Sequence, residues 1–244
     1  MRYAIIINEN SYLKMLLESL ARKHGSNKAS SYFEWCNFYE FHSQHIHSRK
    51  DQDILEIGSF KGESLKMWKE FFPHANFASV DIVTTKEVGN IEGIKCYQGC
   101  QSSIEIRNII KKDFPSGFDL IIDDASHQNE LTIKTFEIYW ELLKDGGVFI
   151  IEDLHCSYSW CTSNSKEDAN SVKTPLGYLR QLIKDINYNY HFLGIENNFP
   201  IYRRSRNLLK QDMLLKNTEL PRLTDIGFIS FGNGICAIHK ESLK

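Results

Sequence analysis

Two short apolar runs in this sequence end on paired carboxylates. Leu120 to Ile122 stops at Asp123 and Asp124, and Val148 to Ile151 stops at Glu152 and Asp153. Runs of this length read as strands buried in a parallel sheet, and in an open α/β sheet the ligand crevice lies just outside the strands' carboxyl ends. Ionised carboxylates are costly to place there unless something positive meets them. His127, three residues past Asp124, adds a group that can take a proton near neutral pH. Hard oxygen donors such as these carboxylates suit Mg²⁺ better than zinc. The chemistry this predicts is metal-assisted proton transfer. A histidine near about 6.5 cannot do that alone against a group like water, near about 15.7, and a bound divalent cation closes much of the gap. The bland alternative makes Asp124 a helix cap, Asp153 a turn former and His127 a helix-start residue. It needs three coincidences at one sheet edge.

A second group of residues surrounds a glycine turn. The strand Asp53 to Ile57 runs into Gly58-Ser59-Phe60-Lys61-Gly62-Glu63-Ser64, and a helix carrying Leu65, Met67, Trp68, Phe71 and Phe72 follows. Such a turn lets a ligand approach the backbone and meet helix amides. The glycines are spaced GxxxG rather than GxGxxG, which disfavours a dinucleotide. Glu56 before them would repel a pyrophosphate but suits the ammonium of an amino-acid-bearing cofactor. A second strand, Asn76 to Val80, ends at Asp81, where a carboxylate can accept bonds from two ribose hydroxyls. A third, Ile94 to Tyr97, ends at Gly99-Cys100-Gln101-Ser102, where Gln101 could read an adenine edge or make local turn bonds.

The remaining elements must position these groups. Leu13, Leu16, Leu17 and Leu20 share one face of a helix closed by Gly25 and Ser26. An aromatic stripe through Tyr32, Trp35, Phe38 or Tyr39, and His42 predicts a helix over the sheet edge or a pocket mouth. His42, His45 and His47 lie on it and read as non-ligands. Helices are expected over about 103–112 and 131–143, the latter ended by Asp145-Gly146-Gly147. Strands alternating with helices predict a parallel, doubly wound sheet. The polar stretch at about 156–175 reads as a flap over the site, and 188–222 as a variable insertion. IGFISFGNGICAIHK reads as an antiparallel hairpin.

With 244 residues, 42% hydrophobic and 25% charged, the chain fits one globular α/β domain with appendages. A net charge of −2 offers no basic surface for nucleic acid. No apolar segment approaches the roughly 20 residues of a membrane span, and the N-terminal run is too short for a secretory signal. Six cysteines without a CxxC pair fit reduced thiols in the cytoplasm.

LEIGSFKGES, then VDI, the GCQSS loop, and FDLIIDDASHQNELTIKTFEIYWELLKDGGVFIIEDLHCSY together resemble the class I S-adenosylmethionine-dependent methyltransferases. More narrowly, they are similar to metal-dependent sugar O-methyltransferases of macrolide, mycinamicin and aminocoumarin pathways. The likeness spans roughly residues 26–188 and the closing hairpin. It implies a Rossmann-like, mostly parallel sheet with a C-terminal antiparallel hairpin, a helical cover over 1–50 and a methyltransferase domain over 51–244. It implies that Glu56, Gly58, Gly62 and Ser64 hold the methionine part of S-adenosyl-L-methionine and that Asp81 holds its ribose. Asp124 and Asp153 match divalent-metal ligands, Mg²⁺ being expected, and His127 matches the general base. Asp123 and Glu152 flank the ligands, and Asp123 and Gln101 are assigned to the cofactor. Two departures stand out: Cys100 occupies a position that is often acidic, and the usual Thr-Asp-Lys before the first strand is Ser26-Asn27-Lys28.

The implied function is O-methylation of a sugar hydroxyl beside another hydroxyl, on a sugar or sugar-nucleotide acceptor. The expected setting is bacterial surface polysaccharide or a glycosylated natural product. A catechol-type enzyme, its pocket lined by the Tyr32 to Tyr39 aromatics, is one alternative, and a non-catalytic cofactor-binding protein is another. The sequence leaves a homo-oligomer open.

Overall fold

A computed structural model describes residues 16–29, 35–158, 168–183, 186 and 225–241. The helices are α1 (16–24), α2 (Trp35–His47), α3 (Glu63–Phe71), α4 (Lys86–Gly89), α5 (Ile104–Asp113), α6 (Asn129–Tyr139) and α7 (175–183). The strands are β1 (Asp53–Ile57), β2 (Asn76–Asp81), β3 (Ile94–Gln98), β4 (Phe118–Asp123), β5 (Leu143–Ile151), β6 (Ile226–Gly232) and β7 (Ile235–Lys240). They form one sheet in the order β3-β2-β1-β4-β5-β7-β6. Strands β1 to β5 are parallel, β7 enters beside β5 antiparallel, and β6 pairs antiparallel with β7 at the edge.

Strand alternation decides which side of this sheet each residue serves. Leu55, Ile57, Ile121, Phe149 and Ile151 join one core with Phe136 and Tyr139 of α6 and Leu179 and Leu182 of α7. Ile54, Leu120, Ile122, Val148 and Ile150 join the other, with Leu17 of α1, Trp35 and Tyr39 of α2, and Trp68 of α3. Burying each such side chain contributes about 1.5–3 kcal/mol, so both layers are built on the same central strands. The register places Ile57, Asp123 and Ile151 side by side. Gly58, Asp124 and Glu152 therefore emerge together at the carboxyl edge.

The structure shortens or moves several expected elements. α6 starts at Asn129 and gives way to a 3₁₀ turn, Trp140–Leu142, before β5 begins at Leu143. Asp145-Gly146-Gly147 thus lies inside β5, at a register shift against β4, instead of ending a helix. Gly146 has φ +71°, and a Cβ on Gly147 would come within 2.8 Å of the Lys144 carbonyl. The pair makes a strand irregularity that a helix stop mimics in sequence. The connection after β2 holds the short helix α4, capped by the Thr85 side chain. α2 covers a face of the sheet, with Trp35, Cys36, Tyr39 and Ile46 buried. His42 meets His239 at 2.8 Å, while His45 and His47 contact the carbonyls of Gly146 and Phe71.

Gly25, at φ +73°, ends α1, and the Ser26 amide donates to the Ala21 carbonyl, the arrangement Gly25 and Ser26 predicted. Of the predicted leucine face, Leu17 and Leu20 are buried, Leu16 is exposed, and Leu13 lies outside the described residues. Residues 159–167 of the expected flap, and all of 188–222, also lie outside them. No helix among the described residues is long and apolar enough to cross a membrane.

Candidate metal and cofactor site

The turn after β1 folds tightly against the strands beside it. Gly58, Phe60 and Gly62 all have positive φ, at 92°, 43° and 80°. A Cβ on Gly58 would sit 2.1 Å from the Asp124 carbonyl oxygen, so no larger residue fits without moving the start of the loop after β4. Asp81 braces the turn from β2: its Oδ2 accepts the Ser59 amide at 2.8 Å and the Phe60 amide at 3.0 Å, and its Oδ1 accepts the Val83 amide. Gly62 precedes α3 without a side-chain cap hydrogen bond. That leaves the first-turn amides of this nine-residue helix suited to an anionic group such as a carboxylate.

Beneath the turn lies Glu56, almost wholly buried. Its Oε2 accepts the Ser64 hydroxyl at 2.9 Å and its Oε1 the Trp68 indole N–H at 3.1 Å. Glu56 and Ser64, both expected to touch the cofactor, thus also bind each other inside the protein. Burial pushes the Glu56 carboxyl up to about 7, against the opposing pull of Lys28.

Asp124, His127 and Asp153 come together at the ends of β4 and β5, each offering one ligand atom within 4.8 Å of the others. His127 and Asp153 both have φ +54°, a left-handed conformation uncommon outside glycine and typical of sites where geometry outranks local comfort. His127 Nδ1 stands 3.3 Å from Asp153 Oδ2, and His155 Nδ1 stands 3.6 Å from Asp153 Oδ1. Burial raises the Asp153 carboxyl, with His127 opposing and Asp124 adding to the rise. Two carboxylates and an imidazole, half-buried and convergent, fit a divalent cation with oxygen-rich coordination.

Lys28 stands where three strand ends meet. It follows α1 on a 3₁₀ turn, Asn27–Ala29, with its side chain inside the protein. Its Nζ lies 2.7 Å from Asp124 Oδ2, 2.7 Å from Glu152 Oε1 and 3.9 Å from Glu56 Oε1. Alternation explains the gathering: Glu56, Asp124 and Glu152 share the parity of Ile54, Ile122 and Ile150 and face the α1–α2–α3 layer. The Tyr39 hydroxyl of α2 also donates to Glu152 Oε1. Burial opposes the charged form of Lys28, but Asp124, Glu152 and Glu56 outweigh it and hold the ammonium well above its ordinary pKa. Burial, with Asp124 adding to it, pushes Glu152 well above the carboxylate range. Sequence reasoning placed Lys28 only in a degenerate motif and Tyr39 only in an aromatic stripe. The parity of the three acids was the signal that a cation had to meet them.

Asp123 has the other parity. It is buried toward α6, where the Gln101 amide donates to Asp123 Oδ1 at 3.4 Å and to Thr135 Oγ1 at 3.0 Å. The Gln101 carbonyl accepts the Ser126 amide. Gln101 therefore fastens the loop after β3 to the loop after β4 and to α6, through partners distant in sequence rather than within its own turn. Burial and then Asp124 push the Asp123 carboxyl well up. A separate cleft of about 510 Å³, lined by Asp53, Asn76, Lys95 and Asp113 among others, opens at the amino ends of the strands, away from these groups.

A sheet of this order, reversed only at its final hairpin and carrying a glycine turn after β1, is the class I methyltransferase fold. Within that fold the chain is similar to sugar O-methyltransferases of glycosylated natural products. It is 30% identical to mycinamicin VI 2''-O-methyltransferase of Micromonospora griseorubida over 161 residues, 62% of this chain and 40% of that protein. It is also 30% identical to L-olivosyl-oleandolide 3-O-methyltransferase of Streptomyces antibioticus over 183 residues, 70% of this chain and 46% of that protein. The chain spans less than half the length of these two relatives. Among solved structures, the MycE methyltransferase of mycinamycin biosynthesis, in complex with Mg and SAH, superposes with a TM-score of 0.73 at 23% identity, covering 93% of this chain and 54% of that one. No protein-family model matches the chain.

Proposed function

We propose that this protein is an S-adenosylmethionine-dependent and divalent-metal-dependent O-methyltransferase acting on a sugar hydroxyl that has a hydroxyl neighbour. The observation that carries the reading is the convergence of Asp124, His127 and Asp153 beside the glycine turn. The named relatives methylate sugars of glycosylated small molecules, and such a glycoside is the acceptor class we favour here. A surface polysaccharide rests on composition together with the family resemblance, and neither relative's name gives one as acceptor.

In this reading the Gly58–Gly62 turn and the amides of α3 receive the methionine carboxylate, and Asp81 meets the ribose while it holds the turn. Asp124 and Asp153 hold the cation, Mg²⁺ by their donor chemistry. When bound, the cation supplies positive charge that makes the acceptor hydroxyl more acidic. His127, oriented through Nδ1 by Asp153, takes the hydroxyl proton on Nε2. The acceptor oxygen forms its bond to the sulfonium methyl as the methyl–sulfur bond breaks. S-adenosylhomocysteine leaves uncharged at sulfur, and the proton stays on the imidazole until water removes it. Trp35 and Tyr39 are core residues, the Trp35 indole donating to the Asn233 carbonyl and the Tyr39 ring lying 4.8 Å from Trp68. They are thus unsuited to lining an aromatic-diol pocket.

The test offers labelled S-adenosylmethionine and Mg²⁺ with a panel of glycosides, sugar nucleotides and catechols. Methyl transfer to vicinal sugar diols is expected, with His127→Ala and Asp124→Asn each lowering turnover by about 10²–10⁴-fold. Full activity in both variants, or transfer to catechols alone, overturns the reading. Cofactor binding without transfer to any acceptor would favour a non-catalytic protein.

A further inference from the structure

Gln101 lies on the loop after β3, the place the resemblance gives to the cofactor, yet its side chain is buried and turned inward. Its amide meets three elements at once. Nε2 donates to Thr135 Oγ1 of α6 at 3.0 Å and to Asp123 Oδ1 at the end of β4 at 3.4 Å, while Oε1 accepts the Ser126 amide at 3.1 Å. A backbone N–H can only donate, so the Ser126 contact fixes which end of the side-chain amide faces the loop. The Asp123 carboxyl accepts the neighbouring Ala125 amide, so Asp123 and Gln101 together receive two successive peptide N–H groups. The next residue is His127, at φ +54°. Backbone in that region persists only where its surroundings over-determine it. From the other side, the Asp124 amide donates to the Ile57 carbonyl at 2.8 Å, and the missing Gly58 side chain makes room for the Asp124 carbonyl and the Ala125 Cα. The loop leading to His127 is held from both sides, and the Gln101 contact is the one at its immediate neighbour.

We propose that Gln101 is a positioning residue for proton removal, its side chain acting through Ser126 on His127 instead of reading the cofactor. This rests on the reading of His127 as the base. Thr135 and Asp123 orient the side-chain amide, the amide sets the Ser126 peptide, and that peptide sets the direction in which the imidazole leaves the chain. Only an amide serves both ends, because a carboxylate has no N–H to give Asp123. Three roles then differ in what they move. A role confined to stability lowers the melting temperature and leaves the kcat of the folded protein alone. A cofactor reader weakens cofactor binding and leaves kcat at saturation alone, whereas a positioning residue lowers kcat at saturating cofactor.

The full chain and its Gln101→Leu, Thr135→Val and Thr135→Ser variants are compared with Mg²⁺, saturating S-adenosylmethionine and a vicinal-diol glycoside, and S-adenosylhomocysteine affinity is measured separately by calorimetry. Gln101→Leu is expected to lower kcat about 10–100-fold, the scale of misplacing a reacting group by about 1 Å, with S-adenosylhomocysteine affinity within about threefold of wild type. Thr135→Val removes only the hydroxyl on α6 and should lower kcat by about threefold to tenfold at the same affinity, while Thr135→Ser should keep the wild-type kcat. The ligand-free protein supplies a readout without turnover. The His127 imidazole carbon–proton signal, assigned by its loss in His127→Ala, should shift in Thr135→Val and stay in place in Thr135→Ser. A Gln101→Leu protein with wild-type kcat, or with its loss confined to cofactor affinity, overturns the proposal. If that variant shows no cooperative melt, Thr135→Val decides, and wild-type kcat with an unmoved His127 signal overturns it. A wild type that methylates no acceptor defeats the functional reading instead, and the His127 signal then decides the positioning by itself.

Discussion

Gly58 shows how closely the two limbs of the site are joined. Its missing side chain makes room for the Asp124 carbonyl, 2.1 Å from where a Cβ would stand. Gly58→Ala cannot be absorbed by a rotamer change, because the obstacle is backbone. It must shift either the turn after β1 or the loop after β4 and adds strain at φ +92°, costing about 1–3 kcal/mol. We expect S-adenosylhomocysteine affinity to fall at least about tenfold by calorimetry while the protein still folds. A Gly58→Ala variant with wild-type affinity would show the turn to be indifferent to its packing. His127 and Asp153 extend the lesson, since both hold left-handed backbone where the functional atoms converge.

At the level of elements, α2 meets the hairpin through the His42–His239 contact. Burial comes first in lowering both imidazoles, and neighbouring histidines add to it: His42 falls to about 4 and His239 to about 3. The unfolded chain takes up these protons near about 6.5, whereas the folded chain resists them until pH nears 4. The contribution to stability is therefore whole above about 6.5 and is lost as pH falls toward 4 and below. His239→Phe should flatten part of this decline, giving a loss in melting temperature between pH 7 and 4.5 that is a few degrees smaller than in wild type. Equal losses would refute it. Elements with strong period and punctuation were legible in the sequence: β1, the glycine turn, the acid-ended strands β4 and β5, α5 behind Ser103, and the hairpin around Gly232-Asn233-Gly234. What escaped was context. Gly146-Gly147 reads alike as a helix stop or an in-strand irregularity, and only pairing with β4 decides. Asp124, His127 and Asp153 could be nominated because each lies at a strand end, but Lys28 lies 96 residues from Asp124, with no local pattern announcing the encounter.

On the scale of the molecule, the two ends of the sheet divide the work. The carboxyl end gathers the candidate site, and the amino end is clasped by charges. Asp119, almost fully buried, is held by Arg49 at 2.6 Å and Lys144 at 2.7 Å and accepts the Asp53 amide at 3.0 Å. Burial works to raise the Asp119 carboxyl, but Lys144, the Asp53 amide and Arg49 together bring it below its usual value. Asp119→Asn should cost about 2–4 kcal/mol in urea unfolding, because two cations lose their shared partner. Cofactor affinity per folded molecule should stay unchanged, and a matching loss there would mean the ends are coupled. At the opposite end, the Leu154 amide donates to the Gly234 carbonyl and the Trp35 indole to that of Asn233. That hairpin gives the site an order in time. On the ribosome, the glycine turn and both acid-ended strands emerge well before the residues that brace Asp153 from the side. A growing chain can thus form the glycine turn and the ends of β4 and β5 while the edge beside Asp153 still waits for β7.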